Sequence, residues 1–189
     1  MKQAPVLSDQ DMKRMLRRCS PGGLGPRNRC MMMLSWLGGM RVGEIAALKV
    51  SDVLRPDGHV RVEIQLRPEQ TKGNRGRTVL VNSQLRNEIA TYLNSFRCPP
   101  AQERALIASK SGRHFSANGL CHRFLELYDA AGLDRATSHS GRRTFITTLA
   151  HKGVNVRVLA ELAGHRSIAV TQRYIELNEK VLRAAVELL

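Results

Sequence analysis

The sequence predicts an α+β fold, mainly α, with one small antiparallel sheet. Three observations lead there. Apolar residues recur at helical spacing over most of the chain. The period drops to two in HVRVEIQL at 59–66, as in a half-buried strand. A second strand pattern, RTVLV at 77–81, follows the basic, glycine-bearing turn TKGNRG, which makes a hairpin. The chain has 189 residues and is 42% hydrophobic, enough for one good-sized core. Aromatics are only 4%, so aliphatics and methionine must fill that core.

Each element has its own signal. Ser8 with Asp11 reads as an N-cap and first-turn acid, opening a helix that runs to about Cys19. Ser20-Pro21-Gly22-Gly23 breaks it. A second helix, PRNRCMMMLSWLGG, has Pro26 near its start and Gly38-Gly39 at its end. RVGEIAALKV at 41–50 reads as one short helix with Ile45, Ala46 and Leu48 turned inward. Pro56-Asp57-Gly58 supplies the turn before the first strand. Helices follow at 83–96 and 116–132, with the short apolar segment ALIAS at 105–109 between them. The last third continues as SHSGRRTFITTLAHKG, VNVRVLAELAGH, SIAVTQRYIE and a tail, LNEKVLRAAVELL. In the tail, Leu177, Val181, Leu182, Ala185, Val186 and Leu189 form an apolar stripe at helical spacing. No internal repeat or long linker divides the chain, so a single domain is expected over 1–189.

The formal net charge is +14, from 30 Lys and Arg against 16 Asp and Glu. The excess is spread along the chain, which favours a folded surface for a polyanion over a disordered basic arm. No apolar run approaches a membrane span, and the N-terminus lacks a signal-peptide core. Cys19, Cys30, Cys98 and Cys121 form no CxxC pair and read as thiols in a reducing compartment. Cys121-His122 lacks zinc-ligand spacing.

Six residues stand out by type and setting. Arg41 follows Gly-Gly-Met at a helix start, with Glu44 three residues on. Lys72 lies in a glycine-flanked hairpin turn. His139 and Arg142 are one helical turn apart. His165 follows Gly164, and Tyr174 sits between Arg173 and Ile175. Singly, each has an ordinary explanation: a cap, a solvated turn lysine, a surface arginine, a half-buried tyrosine. RVLAELAGHRSIAVTQRY also reads as a helix-turn-helix, with Ala160, Gly164 and Val170 at its small and apolar positions. That reading leaves Arg41, Lys72 and His139 without a joint role. Together the six suit nucleophilic attack on a phosphodiester. Guanidinium groups fork onto phosphate oxygens, lysine can protonate a departing alkoxide, and a phenol with a pKa near ~10 needs a base or a cationic field to attack at neutral pH. The acids are scattered rather than clustered as metal-dependent nuclease chemistry requires.

The same segments resemble the catalytic domain of the tyrosine recombinases, the phage integrase family that includes the Xer recombinases. GGMRVGEIAALKVSD resembles its first-arginine box, TKGNRGRTV its lysine hairpin, HSGRR its His-x-x-Arg box and AGHRSIAVTQRYI its nucleophile segment. They occur in the family's order and span the chain from about Leu7. The resemblance implies a mainly α catalytic domain with a small antiparallel three-stranded sheet. It implies a site-specific recombinase that cleaves and rejoins double-stranded DNA through a 3′-phosphotyrosyl link, without metal or cofactor. Tyr174 is then the nucleophile. Arg41, Arg142 and His165 hold the phosphate, His139 accepts the tyrosine proton with His165 as the alternative, Lys72 protonates the leaving oxygen, and Glu44 orients cations. A type IB topoisomerase shares this chemistry, and a non-catalytic DNA-binding protein is the other rival.

The resemblance further implies a tetramer on DNA, accessory DNA-bending proteins, a cytoplasmic, nucleoid-associated location and a tail helix over about 177–189 exchanged between protomers. Two positions depart from the family pattern. Gly141 stands where leucine is usual, at a cost of roughly 1 kcal/mol of helix stability relative to alanine, and Arg143 stands where histidine often follows the arginine. The catalytic segment starts almost at Met1, as in an excised fragment or a short form without an N-terminal core-binding domain, such as the fimbrial phase-switch recombinases.

Overall fold

The structure, a computed structural model, describes residues 3–19, 22–98, 100–174, 183, 186 and 187. The expected tail helix at 177–189 thus lies outside the described residues, apart from Arg183, Val186 and Glu187. The chain forms two compact units, Met1–Phe145 and Ile146–Leu189.

The first unit opens with α1 (Asp9–Cys19), capped as its sequence demands. The Ser8 hydroxyl accepts the Asp11 N–H, and the Asp11 carboxylate accepts the Ser8 N–H in return. Met12, Met15 and Cys19 fall on its buried face. Helix α2 (Gly25–Trp36) buries every residue from Cys30 to Ser35, so it is apolar nearly all round and forms the centre of the core. Against it packs α5 (Ser83–Asn94), which buries Leu85 and Ile89, while α6 (Ala117–Ala130) packs on α1 and buries Leu120, Phe124 and Tyr128 in the same core. Asn82 and Ser116 cap these two helices, accepting the N–H of Leu85 and Gly119.

The segment at 41–50, expected as one helix, is the start of two. Helix α3 (Val42–Ala46) ends, and Asp52 accepts the Lys49 N–H at 2.8 Å to cap a new one, α4 (Val50–Val53). The sheet holds two strands among the described residues, where three were expected: β1 (Glu63–Leu66) and β2 (Arg77–Leu80), antiparallel with Glu63 opposite Leu80 and Leu66 opposite Arg77. Ile64, Leu66 and Val79 face the core. The strand pattern at 59–62 turns aside, Val60 bridging to Leu54 and the Arg61 N–H donating to Val53. The segment at 105–109 pairs only through isolated bridges, Lys49 to Ala105 and Ala108 to His114. A tight turn at Gly112, with the Ser109 N–H on the Arg113 carbonyl, folds it back before a ladder can extend.

Helix α7 (Ser140–His151) contains the boundary between the units. The second unit then continues with α8 (Val156–Ala163) and α9 (Ile168–Gln172). Asn155 caps α8 by accepting the Arg157 N–H. Gly164 ends it in the left-handed region at φ 59°, a conformation that glycine adopts without penalty. Ser167 then caps α9. Among the described residues, no helix is long and apolar enough to cross a membrane.

Candidate active site

Arg41 is the N-cap residue of α3, and its neighbour Glu44 closes a box around it. The Glu44 carboxylate accepts the Arg41 backbone N–H at 2.8 Å and its Nη1 at 2.8 Å. Arg77, on β2, reaches the same carboxylate through Nε at 3.2 Å and Nη2 at 2.7 Å. The Glu44 side chain is 1% exposed and that of Arg77 9%. Burial alone would raise the Glu44 pKa, but the hydrogen bonds and charges of Arg77 and Arg41 outweigh it and hold the carboxyl below its ordinary range. Nothing in the local sequence marks Arg77, because its partner lies 33 residues away. The signal that could have found it is an arginine opening the second hairpin strand, an inward position otherwise given to apolar residues.

Arg142 is 5% exposed and donates through Nη1 to the Gly39 carbonyl. Gly39 has φ 58°, and a Cβ there would stand 2.5 Å from the Phe145 ring, one helical turn past Arg142. The Gly38-Gly39 pair expected as a helix stop therefore also lets α7 approach closely enough for Arg142 to be held. Gly141 acts similarly: a Cβ there would meet Ser35 Oγ at 2.8 Å. A leucine at 141 has no room against this serine.

Lys72 is exposed in the hairpin turn between β1 and β2. The root of that turn is fixed from below. Asp52, buried, accepts from Arg67 Nη1 at 2.9 Å and Gln70 Nε2 at 2.8 Å, and Gln70 Nε2 also donates to the Ala47 carbonyl. Thr71 Oγ1 donates to the Arg75 carbonyl at 2.6 Å and accepts the Arg75 N–H, closing the loop over Gly73 and Asn74, both at positive φ.

His139 precedes α7, its backbone N–H on Thr137 Oγ1. Its ring reaches the surface, yet surrounding protein strips enough water from it that desolvation is the first cause lowering its pKa below the ordinary histidine range. The positive charges of Arg142, Arg41 and Lys72 lower it further. Four of the expected site residues therefore share one electrostatic neighbourhood within the first unit.

His165 and Tyr174 belong to the second unit and meet there. Their rings are stacked, with centroids 5.8 Å apart and planes at 24°. The His165 N–H donates to the Ala160 carbonyl across the Gly164 turn, and the Tyr174 N–H to the Thr171 carbonyl. Thr171, fully buried, places Oγ1 2.9 Å from His165 Nδ1. Sequence reading passed over this threonine too, although its spacing of six from the histidine is the only trace it leaves.

The other two tyrosines are enclosed. Tyr92 donates its hydroxyl to the Leu106 carbonyl at 2.8 Å, and burial pushes its pKa up to about 12. Burial likewise pushes Tyr128 up, the nearby Gly141 backbone acting against it. Among the described residues no three His, Cys, Asp or Glu side chains are grouped to hold a metal ion. The four cysteines are free thiols.

The model of the phage integrase family matches residues 5–180. The chain is similar to tyrosine recombinase XerA of Pyrococcus furiosus, 26% identical over 181 residues, covering 96% of this chain and 60% of that protein. It is similar to tyrosine recombinase XerD of Staphylococcus epidermidis, 30% identical over 163 residues, covering 84% of this chain and 53% of that protein. The chain thus spans between half and two thirds of the length of these relatives. Among solved structures, a XerA recombinase matches with a TM-score of 0.76 at 27% identity, over 98% of this chain and 64% of that one. The catalytic domain of bacteriophage HP1 integrase shares the fold, with a TM-score of 0.68 at 22% identity over 98% and 95% of the two chains.

Proposed function

The chain belongs to the phage integrase family, and from that premise we propose that it is the catalytic part of a tyrosine-type site-specific DNA recombinase. The observation that carries the reading is that Arg142 is held on the Gly39 carbonyl, two residues before Arg41, while the charges of Arg142, Arg41 and Lys72 all act on His139. A phosphodiester seated there meets cations from three separate elements, and the histidine beside them is kept neutral and able to take a proton. Burial supports Tyr174 as the nucleophile, since it is half-buried whereas Tyr92 and Tyr128 are enclosed in the core.

In this reaction Tyr174 Oη attacks the scissile phosphorus and gives its proton to His139. The bond from phosphorus to the 5′ oxygen breaks as the phosphotyrosyl bond forms on the 3′ side. Lys72 supplies the proton that leaves a free 5′-hydroxyl. Arg41, Arg142 and His165 bind the non-bridging oxygens, on which charge builds in the transition state. Glu44 keeps Arg41 and Arg77 in place. The phosphotyrosyl link conserves the bond, so a second 5′-hydroxyl can reverse the step without ATP or metal. We read residues 1–189 as one catalytic domain. On duplex DNA at the nucleoid, four protomers would assemble, with the 177–189 tail docked in trans and accessory bending proteins bringing sites together.

The test is incubation with a duplex nicked close to the scissile phosphate, then a denaturing gel. The expected result is a covalent adduct that persists in excess EDTA and maps to Tyr174. An adduct that requires magnesium, or none at all, overturns the reading. Relaxation of supercoiled DNA without strand exchange would favour the topoisomerase alternative.

A further inference from the structure

We infer that Thr171 is a positioning residue that sets the tautomer of His165, an inference that rests on the recombinase reading for its consequence but not for its geometry. Thr171 is fully buried on α9, and its Oγ1 stands 2.9 Å from His165 Nδ1. A threonine hydroxyl has one proton and two lone pairs. His165 Nδ1 is the side-chain partner the structure gives it. Were Nδ1 to carry the proton, the hydroxyl would accept that bond and its own proton would be buried without an acceptor. A buried donor left unmade costs more than an unfilled lone pair on an oxygen that is already bonded. The hydroxyl therefore donates to Nδ1, and the imidazole proton resides on Nε2.

The consequence is functional. With its proton on Nε2, His165 presents a donor at the far edge of the ring, suited to a phosphate oxygen. Its one basic nitrogen is turned to Thr171. The ring cannot then take the Tyr174 proton through Nε2, and that task falls to His139. Thr171 thus separates the roles of two histidines that composition and spacing leave interchangeable. The Gly164 turn and the His165 N–H on Ala160 fix the ring's base, while Thr171 fixes its rotation.

The experiment uses the full chain, uniformly labelled with nitrogen-15. Two-bond proton–nitrogen correlation spectra report which ring nitrogen of His165 carries hydrogen, without DNA. The Nε2–H form is expected in the wild type and in Thr171→Ser, and a mixture in the isosteric Thr171→Val. On the nicked duplex, Thr171→Val should form adduct about tenfold to a hundredfold more slowly, the loss seen when the hydrogen-bond partner that orients a metal-ligating histidine is removed. Thr171→Ser should restore the rate to within about threefold. An Nδ1–H wild type, an unchanged spectrum in Thr171→Val, or a Ser variant as slow as Val overturns the inference. If Thr171→Val fails to fold, the wild-type spectrum and the serine rate still decide it. If the wild type forms no adduct, the recombinase reading fails while the spectrum still tests the tautomer.

Discussion

Arg41 begins a short helix whose third residue, Glu44, is almost wholly buried and joined to an arginine 33 residues away. Tyr174, by contrast, follows a five-residue helix, and short-range hydrogen bonds shape its described surroundings: Ser167 to Ala169, His165 to Thr171, Thr171 to Tyr174. One half of the chemistry is anchored by long-range buried charge, the other by local hydrogen bonds. The difference teaches where stability and reactivity are linked. A group fixed through the core cannot be altered without disturbing the fold. A group fixed locally can lose its chemistry while the fold persists.

The sharpest way to break that contrast is Tyr174→Phe. It should abolish adduct formation on the nicked duplex, with unfolding midpoint and duplex affinity unchanged. A residual adduct, or one mapped to Tyr92 or Tyr128, would refute the division. Glu44→Gln should instead move both readouts. Replacing the carboxylate leaves the Arg77 guanidinium, 9% exposed, without its anion, and breaking such a buried pair costs about 3 kcal/mol. Its pH dependence has a definite sign. The folded-state pKa of Glu44 is lowered, so its stabilisation is complete above the ordinary carboxylate range. It disappears as the pH falls through the folded value. Denaturant unfolding at several pH values should show this acid limb in the wild type and a shallower one in Glu44→Gln.

Gly141→Leu tests an intermediate case. The site lies beside Arg142, but its constraint is steric, with a Cβ 2.8 Å from Ser35 Oγ. Overpacking of this kind costs about 1–3 kcal/mol. Pairing Gly141→Ala with Ser35→Ala should recover part of the loss seen with Gly141→Ala alone, measured by thermal unfolding. Additive effects would mean that the two positions do not constrain each other.

How much of this was legible in the sequence follows the same line. The helices at 9–19, 83–94 and 117–130 were, because their caps and apolar faces are local. The third strand was not, because the turn at Gly112 decides whether 105–109 extends a ladder or only bridges Lys49 and His114. The candidate residues were visible as types at spacings, Arg41 and His139 included. Their supports were not. Arg77 looks like any strand arginine until β2 is laid beside α3, and Thr171 like any helix threonine until the Gly164 turn brings His165 back over it. Gly141 read as a weakness in α7, and only the approach of Ser35 gives it a steric reason.

The smallest predicted effect concerns His139, whose setting mixes both kinds of support. Its pKa is lowered, first by desolvation and then by Arg142, Arg41 and Lys72. For a base the linkage runs as follows: as pH falls through the ordinary histidine range near ~6.5, the unfolded chain takes up a proton that the folded one refuses. Stability therefore declines across the window between that range and the lowered folded value, and levels off below it. His139→Gln should flatten this decline in denaturant unfolding between about pH 8 and pH 5, leaving the neutral-pH stability nearly unchanged. Salt separates the two causes. At about 1 M the Debye length is ~3 Å, which screens the three cations while leaving desolvation intact. Most of the difference between wild type and His139→Gln should survive there. If it vanishes instead, the arginines and the lysine, rather than loss of water, are what keep His139 neutral, and this histidine is held by the same long-range charge that anchors Arg41.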